Sequence, residues 1–345
     1  MSKTKNIRIA INGFGRIGRA AFKIALQQKD IEVVAINDLT DPHNLAYLLQ
    51  YDTVYRRYEK EVSANEKKPV GLRDCVGSIV VGKKSFPILS QKEPKKLPWK
   101  KLGVDVVIES TGFFTKQEDA RQHIKAGARG VVISAPAKDE ETKTYVRGVN
   151  TEGGVAEKII SNASCTTNCI SPVVAIVHNA FGIKKAMMTT IHSYTSTQNI
   201  VDGPHKDPRR GRAAAQNMVP TSTGAAIATT KALPDLVGKF DGMAIRVPII
   251  DGSISDITML LERNVSEDEV NAAFRKAAKN PLYKGIVSVT EEPIVSSDVI
   301  GSPYSSIVDL TFTKVVGGDM LKVLAWYDNE WGYSNRLVEM VRELH

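Results

Sequence analysis

Ile7-Arg8-Ile9-Ala10-Ile11-Asn12-Gly13-Phe14-Gly15-Arg16-Ile17-Gly18 is the stretch that decides the fold of this 345-residue chain. The apolar run Ile7 to Ile11 is of strand type, and Arg19 to Gln28 reads as a helix. Between them Gly13, Gly15 and Gly18 fall in the register of a dinucleotide-binding turn. The first glycine permits the tight turn, the second lets backbone approach a pyrophosphate, and the third lets the helix pack close on the strand. A second strand, Glu32 to Asn37, ends on Asp38, an acidic side chain about 20 residues past the third glycine, where adenosine ribose hydroxyls are bound. Asp38 would repel a 2′-phosphate and Leu39 offers no cation, so NAD is expected rather than NADP.

Outward from this unit the alternation continues. Val104 to Ile108 is a buried strand ending at Glu109-Ser110-Thr111-Gly112, Gln117 to Ala126 is helical, and Gly130 to Ser134 is another strand. The pattern is α/β, a Rossmann-type doubly wound parallel sheet, with ligands expected at the carboxyl ends of the strands, where Ser110 sits. From Ala186 the pattern changes. Met187 to His192, Gly242 to Val247, Ser255 to Leu261 and Ile307 to Phe312 are β-rich, while Glu267 to Ala278 and Asn335 to Leu344 are amphipathic helices. An α+β catalytic domain with a mostly antiparallel sheet follows. The expected division is a dinucleotide-binding domain over 1–163 and a catalytic domain over 164–330.

The second informative stretch is Ser161-Asn162-Ala163-Ser164-Cys165-Thr166-Thr167-Asn168, just before the apolar run Ile170, Val173, Val174, Ile176 and Val177 that Gly182 ends. It places Cys165 at the first turn of a helix. There the positive end of the helix dipole is expected to lower the thiol pKa toward a populated thiolate. A polar octet is a poor core filler, and Ser164, Thr166 and Thr167 offer hydroxyls to an oxyanion or phosphate. A nucleophilic cysteine wants a base, and His192, delivered by the end of a rigid strand, is the best candidate. His43, His123, His178, His205 and His345 read as solvated or structural. Cys169 reads as a small packed residue, and Cys75 receives no role.

Composition agrees with an enzyme of two cores: 42% of residues are hydrophobic. Three cysteines make no disulfide framework, which suits a reducing compartment. With no membrane-length apolar run and no signal-type segment, a cytoplasmic protein is expected. The net charge of +8 suits anionic metabolites and cofactor as well as nucleic acid. Lys67, Lys68, Lys83, Lys84, Lys95, Lys96, Lys100 and Lys101 fall in surface hairpins and loops without interleaved aromatics, so nucleic acid is not indicated as the primary ligand. Lys206, Arg209, Arg210 and Arg212 lie in a long aperiodic loop, Ser193 to Ala213, of the kind that carries function. No metal is expected.

Taken as a set, Ile11 to Arg19, the octet around Cys165, Thr189 to Thr195, Pro204-His205-Lys206-Asp207 and Trp326-Tyr327-Asp328-Asn329-Glu330-Trp331-Gly332-Tyr333-Ser334 closely resemble the phosphorylating glyceraldehyde-3-phosphate dehydrogenase family, in order and over essentially the whole chain. The resemblance implies Cys165 as nucleophile and His192 as its acid-base partner. It implies Thr195 and Arg246 at the substrate phosphate, and Ser164, Thr166, Thr223 and Gly224 at inorganic phosphate, with Arg210 or Arg212 supporting either anion. Asn12, Gly13, Gly15, Arg16, Ile17, Gly18, Asp38, Ser110 and Asn329 fall where the family binds NAD, with Asn329 on the nicotinamide carboxamide. It further implies a homotetramer, and a final helix, 331–345, returning to the cofactor domain. Lys138 to Gly154 is more charged than the family pattern and reads as a surface variation.

Three other readings compete. An erythrose-4-phosphate dehydrogenase would share the Cys-His core, but Thr195 and Thr221-Ser222-Thr223-Gly224 speak against it. A Cys-His acyl transferase or hydrolase would not need the dinucleotide turn or Asn329. A non-catalytic dinucleotide-fold protein binding RNA or another partner is permitted by the scattered lysines as a secondary activity, and would be supported by a salt-dependent RNA affinity that NAD fails to displace, but it matches the combined motifs less well.

Overall fold

The computed structural model describes residues 6–67, 71, 72 and 74–345. Lys68 and the N-terminal pentapeptide lie outside them. The chain forms two compact units: one comprises the described residues up to Thr144 with Gly154–Asn162 and Ser334–His345, the other Tyr145–Gly153 with Ala163–Tyr333.

The first unit begins with strand β1 (Ile7–Asn12), helix α1 (Arg16–Ala25) and strand β2 (Ile31–Asn37). It continues to β3 (Val106–Glu109), α2 (Gln117–Lys125) and β4 (Gly130–Ile133). Among the described residues its sheet has nine strands, in the order Lys143–Thr144, Ile159–Ser161, β4, β3, β1, β2, Lys84–Leu89, Cys75–Val81, Val62–Asn65. Pairing is parallel as far as Lys84–Leu89 and antiparallel beyond it. Ile9, Ala10 and Ile11 are all fully buried, as a central strand covered on both faces requires. On α1, Phe22 stands edge-on to Phe14 and Phe86 at centroid distances of 5.4 and 4.9 Å, which locks the helix to the sheet.

The lysine-rich stretch, read as surface hairpins and loops, also extends the main sheet. Its lysines are exposed wherever described, yet Cys75–Val81 and Lys84–Leu89 extend the main sheet and bury Cys75. Gly and Lys density hid this extension, in which Lys84–Leu89 pairs with β2 on one side and Cys75–Val81 on the other.

The second unit contains α3 (Cys165–Phe181), β5 (Ile183–Ser193), β6 (Phe240–Val247), β7 (Ser253–Leu261) and β8 (Met320–Tyr327). Its sheet runs Val219–Ser222, β6, β5, β7, β8, Ser306–Val316, Val287–Thr290. It is mostly antiparallel, with parallel pairs at β5 with β6 and at Val287–Thr290 with Ser306–Val316. Helix α3 buries Cys169, Ile170, Val173, Val174 and Val177 in one cluster with Ile257, Met259, Val308 and Val323. At ~1.5–3 kcal/mol for each large aliphatic side chain buried, this face fixes where the first turn of α3 points. Helix Glu267–Ala278 starts at a Ser266/Glu269 capping box. Helix Ala225–Ala232, rich in Ala and Thr, has too little apolar contrast to be read from sequence. The final helix, α4, spans Trp331–Glu343. Among the described residues no helix is long and apolar enough to cross a membrane.

Candidate functional site

In the first unit the turn after β1 is backbone at close quarters. Gly13 has φ +92°, and a Cβ there would lie 2.7 Å from Ser110 C and Thr111 N. A Cβ on Gly18 would lie 2.1 Å from Gly13 O, whereas one on Gly15 would meet nothing within 4 Å. The tight turn and the helix packing therefore need glycine, and Gly15 faces open space. Asp38 accepts the Phe14 N–H at 2.7 Å and the Thr40 N–H at 2.9 Å, tying the turn to the end of β2. Ser110 donates its hydroxyl to Gly13 O at 2.7 Å. A cleft of about 590 Å³ opens here, with Asn12, Gly13, Gly15, Asp38, Leu39 and Ser110 in its wall. Arg16 pairs with Asp52 at 2.6 Å and Gly18 is packed under the turn.

In the second unit the N-cap Ser164 accepts the Thr167 N–H at 3.1 Å and opens α3. The residue before it, Ala163, is fully buried with φ +53°, a left-handed conformation costly for any residue with a Cβ. Its carbonyl accepts the Tyr333 hydroxyl at 3.0 Å, and its methyl packs with Val146, Ala228 and Ala232. This bend turns the half-buried Cys165 toward β5, with Sγ 3.4 Å from His192 Nε2.

His192 Nδ1 lies 2.8 Å from Ser193 O. The other ring nitrogen, Nε2, is the one that faces the thiol. Arg246, opposite His192 in the parallel β5–β6 register, places Nη1 2.5 Å from His192 Nδ1 and 3.0 Å from Ser193 O. Tyr327 covers the imidazole edge-on and links Thr166 and Thr190 through its hydroxyl at 3.0 and 2.8 Å. Asn329 Oδ1 accepts the hydroxyls of Ser193 at 3.0 Å and Ser253 at 2.7 Å, so its amide nitrogen is the end left to point elsewhere.

The helix end does not act on the thiol alone. Burial pushes the Cys165 thiol up, against the pull of the Arg246 guanidinium and of the Thr166 hydroxyl and N–H. Burial, reinforced by Arg246, brings His192 down to about 3. The sequence expectation of a lowered thiol pKa is corrected: burial outweighs the helix end and the neighbouring cation, and the shift is upward. Cys169 is fully buried and its thiol is pushed up to about 12, as fits a packed residue. A second buried acid lies close by. Asp328 accepts backbone N–H groups from Gly301, Glu330 and Trp331, and beside it Asp251 is raised to about 8 by burial and by the charges of Asp328 and Glu330.

The remaining expected residues are less concentrated. The Thr195 hydroxyl pairs with Thr197 at 2.8 Å. Arg210 reaches Thr221 at 2.7 Å and Asp207 at 3.5 Å, and Arg212 reaches Asp202 at 2.8 Å, so much of the loop's positive charge is paired. Thr223 accepts the Ala225 N–H at 3.2 Å and Gly224 caps helix Ala225–Ala232, which puts both at a helix N-terminus. Sequence reasoning passed over Ser193, Ser253 and Tyr327. Ser253 and Ser255 continue the buried face of Ile257, Met259 and Leu261, and hydroxyls at core-facing positions were the available signal.

Two family models and a set of curated relatives match this chain. The family model described as glyceraldehyde 3-phosphate dehydrogenase, NAD binding domain, matches residues 7–117, and the corresponding C-terminal domain matches 164–329. Glyceraldehyde-3-phosphate dehydrogenase of Streptomyces coelicolor is 52% identical over 337 residues, 97% of each chain. Glyceraldehyde-3-phosphate dehydrogenase 1 of Bacillus cereus is 52% identical over 335 residues, 96% of this chain and 97% of its own. The Geobacillus stearothermophilus enzyme of the same name is 51% identical over 336 residues, 97% of each.

Proposed function

The chain belongs to the glyceraldehyde-3-phosphate dehydrogenase family, and from that membership we propose that Cys165 and His192 are the pair on which its reaction runs. It is an NAD-dependent oxidoreductase of glycolysis, converting D-glyceraldehyde 3-phosphate, NAD+ and inorganic phosphate reversibly to 1,3-bisphosphoglycerate and NADH. The observation that carries the residue assignment is Cys165 Sγ at 3.4 Å from His192 Nε2 at the first turn of α3.

Cys165 Sγ adds to the aldehyde carbon while His192 Nε2 takes the thiol proton and passes it to the carbonyl oxygen, giving a thiohemiacetal. His192 then takes the hydroxyl proton as that carbon is oxidised to a thioester on Sγ. Bound NAD+ supplies the hydride acceptor. A phosphate oxygen attacks the thioester carbonyl, the Cys165 thiolate leaves, and an acyl phosphate is formed. Thr195 and Arg246 hold the substrate phosphate. Ser164, Thr166, Thr223 and Gly224 hold the attacking one with Arg210, and the helix N-terminus at Gly224 supports that role.

The glycine turn fits a dinucleotide, because side chains are excluded at Gly13 and Gly18 while Gly15 leaves the cleft open. Asn12, Gly13, Gly15, Arg16, Ile17, Gly18, Asp38 and Ser110 would hold NAD, and Asn329 would present its amide N–H to the carboxamide. The working division is a cofactor domain over 1–163 with 331–345 and a catalytic domain over 164–330.

The working assembly is a homotetramer. Its support is the outer face of the second unit's sheet, where Met187, Met243 and Met320 are exposed among partly covered Ile191, Ile254 and Leu260. Cytoplasmic residence is supported by three free cysteines.

The test is NADH formation from glyceraldehyde 3-phosphate with and without phosphate, beside erythrose 4-phosphate and NADP. Fast, phosphate-dependent reduction of NAD is expected. A preference for erythrose 4-phosphate, or turnover retained by Cys165→Ser, would overturn the reading.

A further inference from the structure

Beneath the dinucleotide turn, and joined to the site above only through Asn12, lies a chain of polar side chains whose hydrogen bonds run toward one carboxylate. Glu109, at the end of β3 and fully buried, accepts on Oε2 from Asn12 Nδ2 at 2.6 Å and from His123 Nε2 at 3.0 Å. On Oε1 it accepts the N–H of Thr111 at 2.8 Å and the Thr111 hydroxyl at 2.5 Å. Trp99 Nε1 donates to His123 Nδ1 at 2.9 Å. That bond leaves the imidazole proton on Nε2, aimed at the carboxylate.

On the other side Asn37 Nδ2 donates to Asn12 Oδ1 at 2.7 Å, and the Gln91 N–H donates to Asn37 Oδ1 at 3.0 Å. The directions therefore run from Gln91 through Asn37 and Asn12 into Glu109, and from Trp99 through His123 into the same carboxylate. Each bond polarises the next. Asn12, Asn37, Gln91 and Thr111 are also in the wall of the dinucleotide cleft. The Asn12 carbonyl accepts the Ser110 N–H at 2.8 Å, and the Gly13 N–H is fixed on Asn37 O at 2.8 Å.

We propose that His123 is a positioning residue for the dinucleotide site, acting through Glu109 and Asn12 to fix the glycine turn in its binding geometry. His123 itself is fully buried behind Trp99 and Phe114. A core histidine that merely fills space would need neither a fixed tautomer nor a carboxylate shared with the wall of the cleft. The proposal rests on the assignment of this cleft to NAD.

The test measures NAD dissociation by calorimetry on the full-length protein, with kcat and both KM values. His123→Leu is expected to weaken NAD about tenfold or more, with KM for glyceraldehyde 3-phosphate and kcat at saturating NAD within about twofold. His123→Gln, whose amide can reach the same oxygen, should recover most of the affinity. Trp99→Phe, which keeps the bulk and removes the donor, is the second variant if His123→Leu does not fold, with about threefold weakening expected. Unchanged NAD affinity with a lower melting temperature would reduce His123 to core packing, and equal losses in the Gln and Leu variants would remove the hydrogen-bond route. Failure of the unmodified protein to bind NAD would overturn the assignment of the cleft itself, and the inference with it.

Discussion

Each unit hides a carboxyl group below its site, and the two are kept in opposite ways. Glu109, under the dinucleotide turn, is surrounded by donors from Asn12, His123 and Thr111. Asp251, behind the thiol cup, faces another carboxylate, Asp328, that has already taken three backbone N–H groups. The first is an acceptor hub that gives neighbouring amides their direction. The second has its pKa raised by burial and by the charges of Asp328 and Glu330. The sites above them differ accordingly: the turn presents backbone held rigid from below, while the cup presents side chains gathered from α3, β5, β6 and the Asn329 segment.

The comparison breaks first at the cup. Cys165→Ser should lower phosphate-dependent turnover by at least about 10⁴-fold with the fold and NAD binding intact, since the nucleophile acts as one unit with its base. Residual turnover near that of the parent would dissolve the cup as a catalytic centre. His192→Gln should cost about 10²–10⁴-fold in kcat, read by steady-state kinetics. The turn is tested by a pair of variants. Gly13→Ala meets Ser110 backbone at 2.7 Å with φ +92° and should cost stability and abolish NAD binding, whereas Gly15→Ala, with nothing within 4 Å, should melt within about 1 °C of the parent and lose only NAD affinity.

A pH experiment sharpens the contrast between the two acids. An acid whose folded pKa is raised favours the folded state fully at a pH below its unfolded value and loses that contribution as pH rises toward the folded pKa. For Asp251 that window runs from the ordinary carboxylate range up to about 8. Asp251→Asn should therefore raise the melting temperature at alkaline pH by a few °C, on the order expected for ~1–2 kcal/mol, and flatten its dependence on pH. Equal gains at acid and alkaline pH would show that the proton is not what the variant replaces. The smallest effect belongs to the surface. Arg342 of α4 clamps Asp30 through two bonds of 2.6 and 2.7 Å, and its hydrogen bond holds the Asp30 carboxyl below its usual range. Arg342→Ala should cost roughly 0.2–1 kcal/mol in denaturant titrations, an effect present at neutral pH and lost as pH falls through the carboxylate range.

What could be read from residues alone follows the same division. The turn was legible because its requirements are local: Gly13, Gly15 and Gly18 stand within one short stretch, and their spacing states which backbone atoms must approach. The first turn of α3 was legible for the same reason, through the octet around Cys165. The contact of Cys165 with His192 joins residues 27 apart along the chain, and that of Ser193 with Asn329 joins residues 136 apart, so no local pattern states either. The thiol pKa was misread because the helix end is visible in sequence and burial is not. Glu109 and Asn37 were given no role although each closes an apolar strand, and a polar group at the end of a buried strand must find partners.

Ala163 sets the alphabet available just upstream of the nucleophile. Its backbone is left-handed, which excludes β-branched residues, and its methyl is enclosed by Val146, Ala228 and Ala232, which excludes anything larger. Glycine would relax the bend, yet it would also give freedom to the one joint that aims α3 at β5. The position therefore admits two letters at most. One of them trades comfort for aim, and alanine is the letter that spends conformational energy to keep the thiol pointed.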